Sequence, residues 1–440
     1  MRDKINLTSS YEKVVFLIKN LIGPRLLAVC LMMAVAGGAR AEDLTLDQCI
    51  QHALSMHPDL VAAQGTVESY KAQTSLSAVG QRLQASGTAG YTRSGATAGS
   101  QSGDTEGDWA TEISLSQTVF DWGKTGTSVK SSRLMTKASE ETLTRTREEI
   151  VADVRDAYYG LNLAERDIAV QREQMKNYEK RLSWAKSYYA AGTKAKIEVT
   201  NAETDLANTK LSLIKAISSA EQYRAELASA MGDPALQIGS VKDELDYEAW
   251  NIALSEALDR AALSRSDLTA QELEVQRAAV EVKSAALTNA PDVTAGAGYS
   301  FGGSRYFDED QWNARLTLTV PVGDGGETKA LVAQAKAELK VAQAERDKLA
   351  QDIILDVRKA WQSLQESAES IVAAEAALKQ AKENLDLALG RYRAGVGDSL
   401  EVSDAVDTYA TAQTSLNTSL YDHKAARLSL ERAMGEVSGS

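Results

Sequence analysis

The chain has 440 residues, 44% of them hydrophobic and 25% charged, and carries a net charge of −13. That acidic balance excludes a nucleic-acid partner, because no basic surface would offset phosphate repulsion. Two cysteines, Cys30 and Cys49, exclude a disulfide-stapled scaffold.

Residues 1–41 read as a signal peptide. Lys4, Lys13, Lys19 and Arg25 precede an apolar run from Leu26 to Val35, and Ala39-Arg40-Ala41 fits a small-x-small cleavage site. The run, closed by Gly37-Gly38, is too short for a comfortable membrane span. Val29 before Cys30 is larger than the small residue a lipoprotein signal places there, so simple cleavage after Ala41 is the expectation. Cleavage removes six Lys/Arg and two Asp/Glu, moves the net charge from −13 to −17 and leaves Cys49 as the single cysteine. No later segment has 18 consecutive apolar residues, so an exported chain of this kind enters a membrane as a β-barrel.

The elements then follow in order. A helix is expected over about 59–82, then a hairpin of strands 84–92 and 109–120 around a Gly/Ser/Asp-rich loop, 93–108. In its second strand Ile113, Leu115 and Val119 alternate with Glu112, Ser114, Ser116 and Thr118, the pattern of a lipid-facing strand around a wet lumen. A proline-free segment, 124–190, predicts a helix about 100 Å long, and a shorter helix spans 196–231. The stretch 232–266, with Pro234, should pack outside at mid-height before a helix over 267–289. A second hairpin places strands at 292–301 and 312–322, where Trp312, Ala314, Leu316, Leu318 and Val320 alternate with Asn313, Arg315, Thr317 and Thr319. Taken alone, both hairpins also suit an ordinary protein surface. A second long helix, 327–392, and a last one, 399–434, complete the chain.

The second half repeats the first. Val154, Leu161, Ile168, Met175, Leu182 and Tyr189 step by seven, and 203 positions later Val357, Leu364, Ile371, Leu378, Leu385 and Tyr392 do the same. A seven-residue step holds one apolar seam against a partner helix. Tyr189-Ala-Ala-Gly192 recurs as Tyr392-Arg-Ala-Gly395, and Met231-Gly232 as Met434-Gly435. Upstream the offset is 208, pairing Ile50 and Ala53 with Leu258 and Ala261. Repeats 42–234 and 235–440 are therefore expected to interleave in one domain, mainly α with a small β part. Four strands cannot close a barrel with a useful lumen, so several protomers must contribute.

No catalytic constellation is legible, and no cofactor or metal set. Gly123-Lys124-Thr125 ends like a phosphate loop, but Thr118 stands where its first glycine belongs. His52 and His57 are about 140° apart on a helix, and His423 is remote.

The tandem repeat, the Phe120-Asp-Trp-Gly123 and Gly323-Asp-Gly-Gly326 junctions and the Tyr-x-x-Gly turns together resemble the TolC outer-membrane efflux family over 44–436. The resemblance implies a homotrimer in outer-membrane lipid, with a twelve-stranded β-barrel above a long α-helical tunnel. It also implies two partners, a periplasmic adaptor protein and an inner-membrane pump of RND or ABC type. In the family the closed periplasmic entrance lies at the two helix turns. Matching positions here are Glu401, Asp404 and Glu198 for an acidic selectivity ring, Tyr392 for the gate, and Gly192 and Gly395 for the docking turns. Asp398 and Asp407 extend the three-residue spacing of the acidic stripe. A solvated acidic face near a helix N-terminus is the alternative. Gly397 departs from the family, whose members often hold the gate with an arginine there, and Lys194 and Lys196 are the candidate substitutes. The competing reading of the whole chain is a passive structural or adhesive coiled-coil protein of the envelope.

Overall fold

The computed structural model describes residues 44–95, 106–303 and 309–437. The expected signal peptide with Cys30 and parts of both hairpin loops lie outside the described residues. The helices are α1 (Leu46–Met56), α2 (Pro58–Ser77), α3 (Lys124–Ala190), α4 (Lys196–Ala230), α5 (Leu254–Ser264), α6 (Ser266–Ala286), α7 (Glu327–Arg393) and α8 (Ser399–Met434). The strands are β1 (Gln84–Ser94), β2 (Glu106–Phe120), β3 (Asp292–Gly303) and β4 (Glu309–Thr319).

All four strands join one antiparallel sheet in the order β1-β2-β3-β4, so the hairpins of the two repeats sit side by side. Register places Tyr91 opposite Trp109, Ile113 opposite Tyr299, and Tyr299 opposite Trp312. Paired residues share a face. One face therefore carries Trp109, Ile113, Leu115, Tyr299, Trp312, Leu316 and Leu318, and the other Ser86, Glu112, Ser114, Asn313 and Arg315. Two details differ from expectation. A bulge between Thr118 and Phe120 sets Phe120, not Val119, opposite Val293, because the extra residue reverses the alternation. The last strand runs over Glu309–Thr319 rather than 312–322, since Pro321 has no N–H to donate to the ladder.

Strand passes to helix by the same device in each repeat. The Asp121 carboxylate accepts from the Gly123 and Thr125 amides at 3.0 and 2.7 Å, capping the first turn of α3. Asp324 does the same for Gly326 and Thr328 at 3.0 Å, starting α7. The hydrogen bonds from Thr328 and Gly326 draw the Asp324 carboxyl down to about 2.

Both long helices have 67 residues, about 100 Å. Helix α3 packs along α2 and α4 and also along α6 and α8, while α7 packs along α6 and α8. The wall is thus four helices wide, with half-length helices stacked in pairs beside full-length ones. The predicted helix over 59–82 stops at Ser77 and ends in a 3₁₀ turn, Val79–Gln81, that leads into β1.

The heptad seam is the core of this wall. Val154, Leu161, Val357, Leu364 and Ile371 are each 0–1% exposed. Two related clusters sit at mid-height, one around Ile50, Ala53, Val154 and Leu227, the other around Ala257, Ala261, Val357 and Leu430. The connection from Pro234 to Ala253 is strapped across them: Arg166–Asp243 (2.8 Å), Lys424–Asp246 (2.7 Å) and Arg427–Glu248 (3.0 Å) hold it to α3 and α8. Trp361 Nε1 donates to Ile252 O at 2.9 Å. The end of the 232–266 stretch forms helix α5, the counterpart of α1, a short element that the expected irregular connection did not include.

Candidate channel entrance

Far from the sheet, α3 and α7 end in matching turns. The Gly192 amide donates to Tyr189 O at 2.9 Å and the Thr193 amide to Tyr188 O at 3.0 Å. In the second repeat Gly395 donates to Tyr392 O at 3.0 Å and Val396 to Arg391 O at 3.1 Å. This double closure needs a left-handed residue after the C-cap, and Gly192 and Gly395 have φ of +74° and +78°. A Cβ at either glycine would meet nothing within 4 Å, so both turn tips face open space.

Gly397 has a different cause. Its amide donates to Arg391 O at 3.0 Å, and a Cβ there would lie 2.7 Å from Tyr392 N and 2.9 Å from the Arg391 carbonyl carbon. Backbone cannot yield as a flexible side chain can. The close turn therefore excludes any side chain at 397, the locking arginine included.

A different arginine lies buried beside these turns. Arg181, on the last part of α3, is 2% exposed and is the largest fully buried side chain among the described residues. Its Nη1 pairs with the Asp205 carboxylate on α4. Its Nε and Nη2 donate to Ser399 Oγ, in the first turn of α8, at 3.2 and 2.7 Å. Ser403 Oγ donates to the same Asp205 oxygen at 3.1 Å. One turn back, Asp407 Oδ1 accepts from Tyr178 OH at 2.5 Å and from Gln174 Nε2 at 2.9 Å. Three helices are thus tied together in a site otherwise packed with Leu385, Tyr392, Val402 and Val406.

The predicted entrance residues divide around this clamp. Glu401 and Asp404 stand on the exposed side of α8, and Glu401 takes Arg391 of its own chain at 3.4 Å. Asp398 is the N-cap of α8 and Asp407 turns toward α3, so the acidic stripe narrows to Glu401 and Asp404. Glu198 is half-buried, with Oε2 unpartnered among the described residues. It lies beside Tyr392, whose hydroxyl is pushed above its ordinary value by burial first and by Glu198 next. Tyr392 is 1% exposed, whereas its counterpart Tyr189 is 48% exposed. Neighbouring Tyr188 instead reaches across, donating to Tyr392 O and Arg393 O at 3.2 and 3.0 Å. Lys194 and Lys196 stand on the first turn, half-buried and exposed respectively.

The sequence profile of the outer membrane efflux protein family matches residues 49–233 and 257–436. The chain belongs to this family. It is an outer-membrane channel protein of the efflux and secretion class. Among its relatives are the probable outer membrane lipoprotein SilC of Salmonella typhimurium, 22% identical over 89% of this chain and 86% of that one. The alkaline protease secretion protein AprF of Pseudomonas aeruginosa is 24% identical over 72% of this chain and 68% of that one. Outer membrane protein TolC of Vibrio cholerae is 22% identical over 74% and 76% respectively. The fold matches the crystal structure of CusC with a TM-score of 0.79 at 19% identity, over 91% of this chain and 95% of that one. It matches the Campylobacter jejuni CmeC channel equally well, 0.79 at 18% identity, over 89% and 85%.

Arg181 and Asp205 escaped the sequence reading. The repeat held a signal for them: 203 positions on, their counterparts are Asn384 and Thr408, so this ion pair belongs to one copy alone. The two copies therefore differ in charge at this height, where polar Asn384 and Thr408 replace an ion pair.

Proposed function

We propose that three copies of this chain form a closed exit duct, with the sheet in the outer membrane, the helical wall in the periplasm and the two helix turns at a constricted entrance. The supporting observation is that the fold is open on both flanks. Strands β1 and β4 are unpaired edges, and an unpaired edge in lipid costs several kcal/mol per backbone group. The outer flank of the wall repeats the deficit: Val341, Leu355, Val372 and Leu387 of α7 and Leu211, Ile214 and Ile217 of α4 are 40–65% exposed. A copy added head to tail would cover both at once, and three would close a ring of twelve strands.

Substrate would enter from a periplasmic adaptor docked on the Gly192 and Gly395 turns and fed by an inner-membrane pump. Threefold symmetry would bring Glu401 and Asp404 into rings across the resting pore, favouring cations and binding multivalent ones. Lys194 and Lys196 would lie within reach of a neighbour's acidic ring. The double variant Glu401→Ala with Asp404→Ala tests this in planar bilayers. Cation selectivity should fall and block by multivalent cations should be relieved. Unchanged selectivity and block would reduce the two carboxylates to a solvated helix face.

A further inference from the structure

A groove of about 610 Å³ lies between α3 and α8, its lining including Gln171, Gln174, Asp407, Thr411, Thr414 and Thr418. On α8 it continues the stripe that begins with Asp404. Asp407, Thr411, Thr414 and Thr418 follow at steps of three and four, which keeps them on one face. The stripe climbs about 21 Å from Asp404 toward mid-height. From Ser399 to Asp422 this helix has four acids, Glu401, Asp404, Asp407 and Asp422, and no lysine or arginine.

The α3 side of the groove holds acceptors without donors. Gln171 Oε1 and Asp167 Oδ1, one turn apart, are covered atoms with no hydrogen-bond partner among the described residues. Burial raises the Asp167 carboxyl above its ordinary range. A covered acceptor left without a donor is costly. Asp407 lies toward the other end, accepting from Tyr178 and Gln174. Asp167 is seven residues from Gln174, so the two carboxylates stand about 10 Å apart along the wall. The second copy has no such set. Asp167, Gln171 and Gln174 are matched by Ser370, Ala374 and Ala377, and Asp407, Thr414 and Thr418 by Thr204, Leu211 and Lys215. A wall of this kind therefore packs without these groups, and their use lies with a ligand.

We propose that this groove is a transit site for linear polyamines, with one protonated amine held by Asp167 and Gln171 and another by Asp407. The inference rests on the duct reading, in which Asp404 faces the pore and the groove lines it just beyond. Two carboxylates set apart along a furrow, with a covered amide carbonyl between them, match a chain of ammonium groups that each bring several N–H donors. The hydroxyls of Thr411, Thr414 and Thr418 would hold the intervening chain weakly enough for release. A compact metal ion fits worse. The two acids are too far apart to share it, and no three metal-ligating side chains converge among the described residues.

The test is equilibrium binding of spermidine to the detergent-solubilised protein, in a Glu401→Ala, Asp404→Ala background so that the entrance acids contribute nothing. Each chain should bind one spermidine, and adding Asp167→Asn should weaken binding about tenfold or more. Diaminohexane should bind about tenfold more tightly than hexamethonium, which has the same span and charge but no N–H donor. Unchanged affinity in the Asp167→Asn variant, with its helical circular dichroism intact, would overturn the site. If that variant fails to fold, Gln171→Leu carries the same comparison. Equal affinity for hexamethonium would overturn recognition by donors and leave only bulk acidity. In planar bilayers, spermidine should lower the open-pore current of the background protein, and Asp167→Asn should abolish that effect. Binding without any change in current would overturn the place in the lumen. Membranes silent with every variant would instead overturn the duct reading, and the transit role with it.

Discussion

At the scale of single residues, Arg181 and Gly397 together shape the proposed entrance. Gly397 cannot carry a side chain because the turn brings its Cα against the Arg391–Tyr392 backbone. Arg181 places a buried cation nearby on α3, and it reaches Asp205 on α4 and Ser399 on α8. Arg181→Met should cost about 2–3 kcal/mol, less than the 3–5 of a fully buried pair because Asp205 keeps some solvent. It should also raise resting conductance. Gly397→Arg added to that variant should not restore closure, and recovery of low conductance would show that the turn can open to admit a side chain. The glycines at 192 and 395 were legible because a left-handed helix end leaves a local trace. The Arg181 clamp was not, since its partners lie 24 and 218 residues away and only folding brings them together. Gly395→Trp forces a bulky side chain into a left-handed turn at a cost of about 1–2 kcal/mol. Because the tip faces open space, trimers should survive while export is lost, and export at the normal rate would place docking elsewhere.

At the scale of elements, length and seam were written plainly in the chain. A proline-free heptad series fixed both 67-residue helices, and burial at 0–1% along Val154, Leu161, Val357, Leu364 and Ile371 shows that the seam is the packing surface. Short-range backbone detail was less readable. The β2 bulge moved Phe120 into the place expected for Val119, and the single N–H missing at Pro321 ended β4 early. The strap joining the repeats was legible as a break in helical pattern packed outside at mid-height, but its fastening to the wall was not, and one of those contacts is titratable. His423 of α8 is 2% exposed, contacts Ser367 of α7 at 3.1 Å and lies 3.3 Å from Glu248 O on the strap. Burial, followed by the charges of Lys424 and Arg427, lowers its pKa below the ordinary 6.5. A base whose folded pKa is depressed contributes stability that is present above its unfolded value and lost as pH falls through that value toward the folded one. The thermal midpoint of wild type should therefore drop more than that of His423→Gln between pH 7 and pH 5. Parallel profiles would remove His423 from the fastening.

At the scale of the whole molecule, the two repeats are alike in framework and unlike in their working parts. They share the capping aspartates Asp121 and Asp324, the turn glycines and the mid-height clusters. The clamp ion pair belongs to the first repeat alone, and the exposed acid Asp404 to the second, where the first has Asn201; Glu401 is matched by Glu198. Duplication thus supplies a wall, and divergence between the copies is concentrated in the residues of the proposed entrance. The open sheet edges and bare flanks of α4 and α7 are the surfaces that the proposed trimer would cover. The central claim is that this assembly is a duct shut at its periplasmic end, and single-channel recording of the purified protein in a planar bilayer tests it most directly. The account predicts small, cation-selective steps for wild type and larger steps for Arg181→Met; membranes that stay silent with both proteins, although each is a folded and inserted trimer, would contradict it.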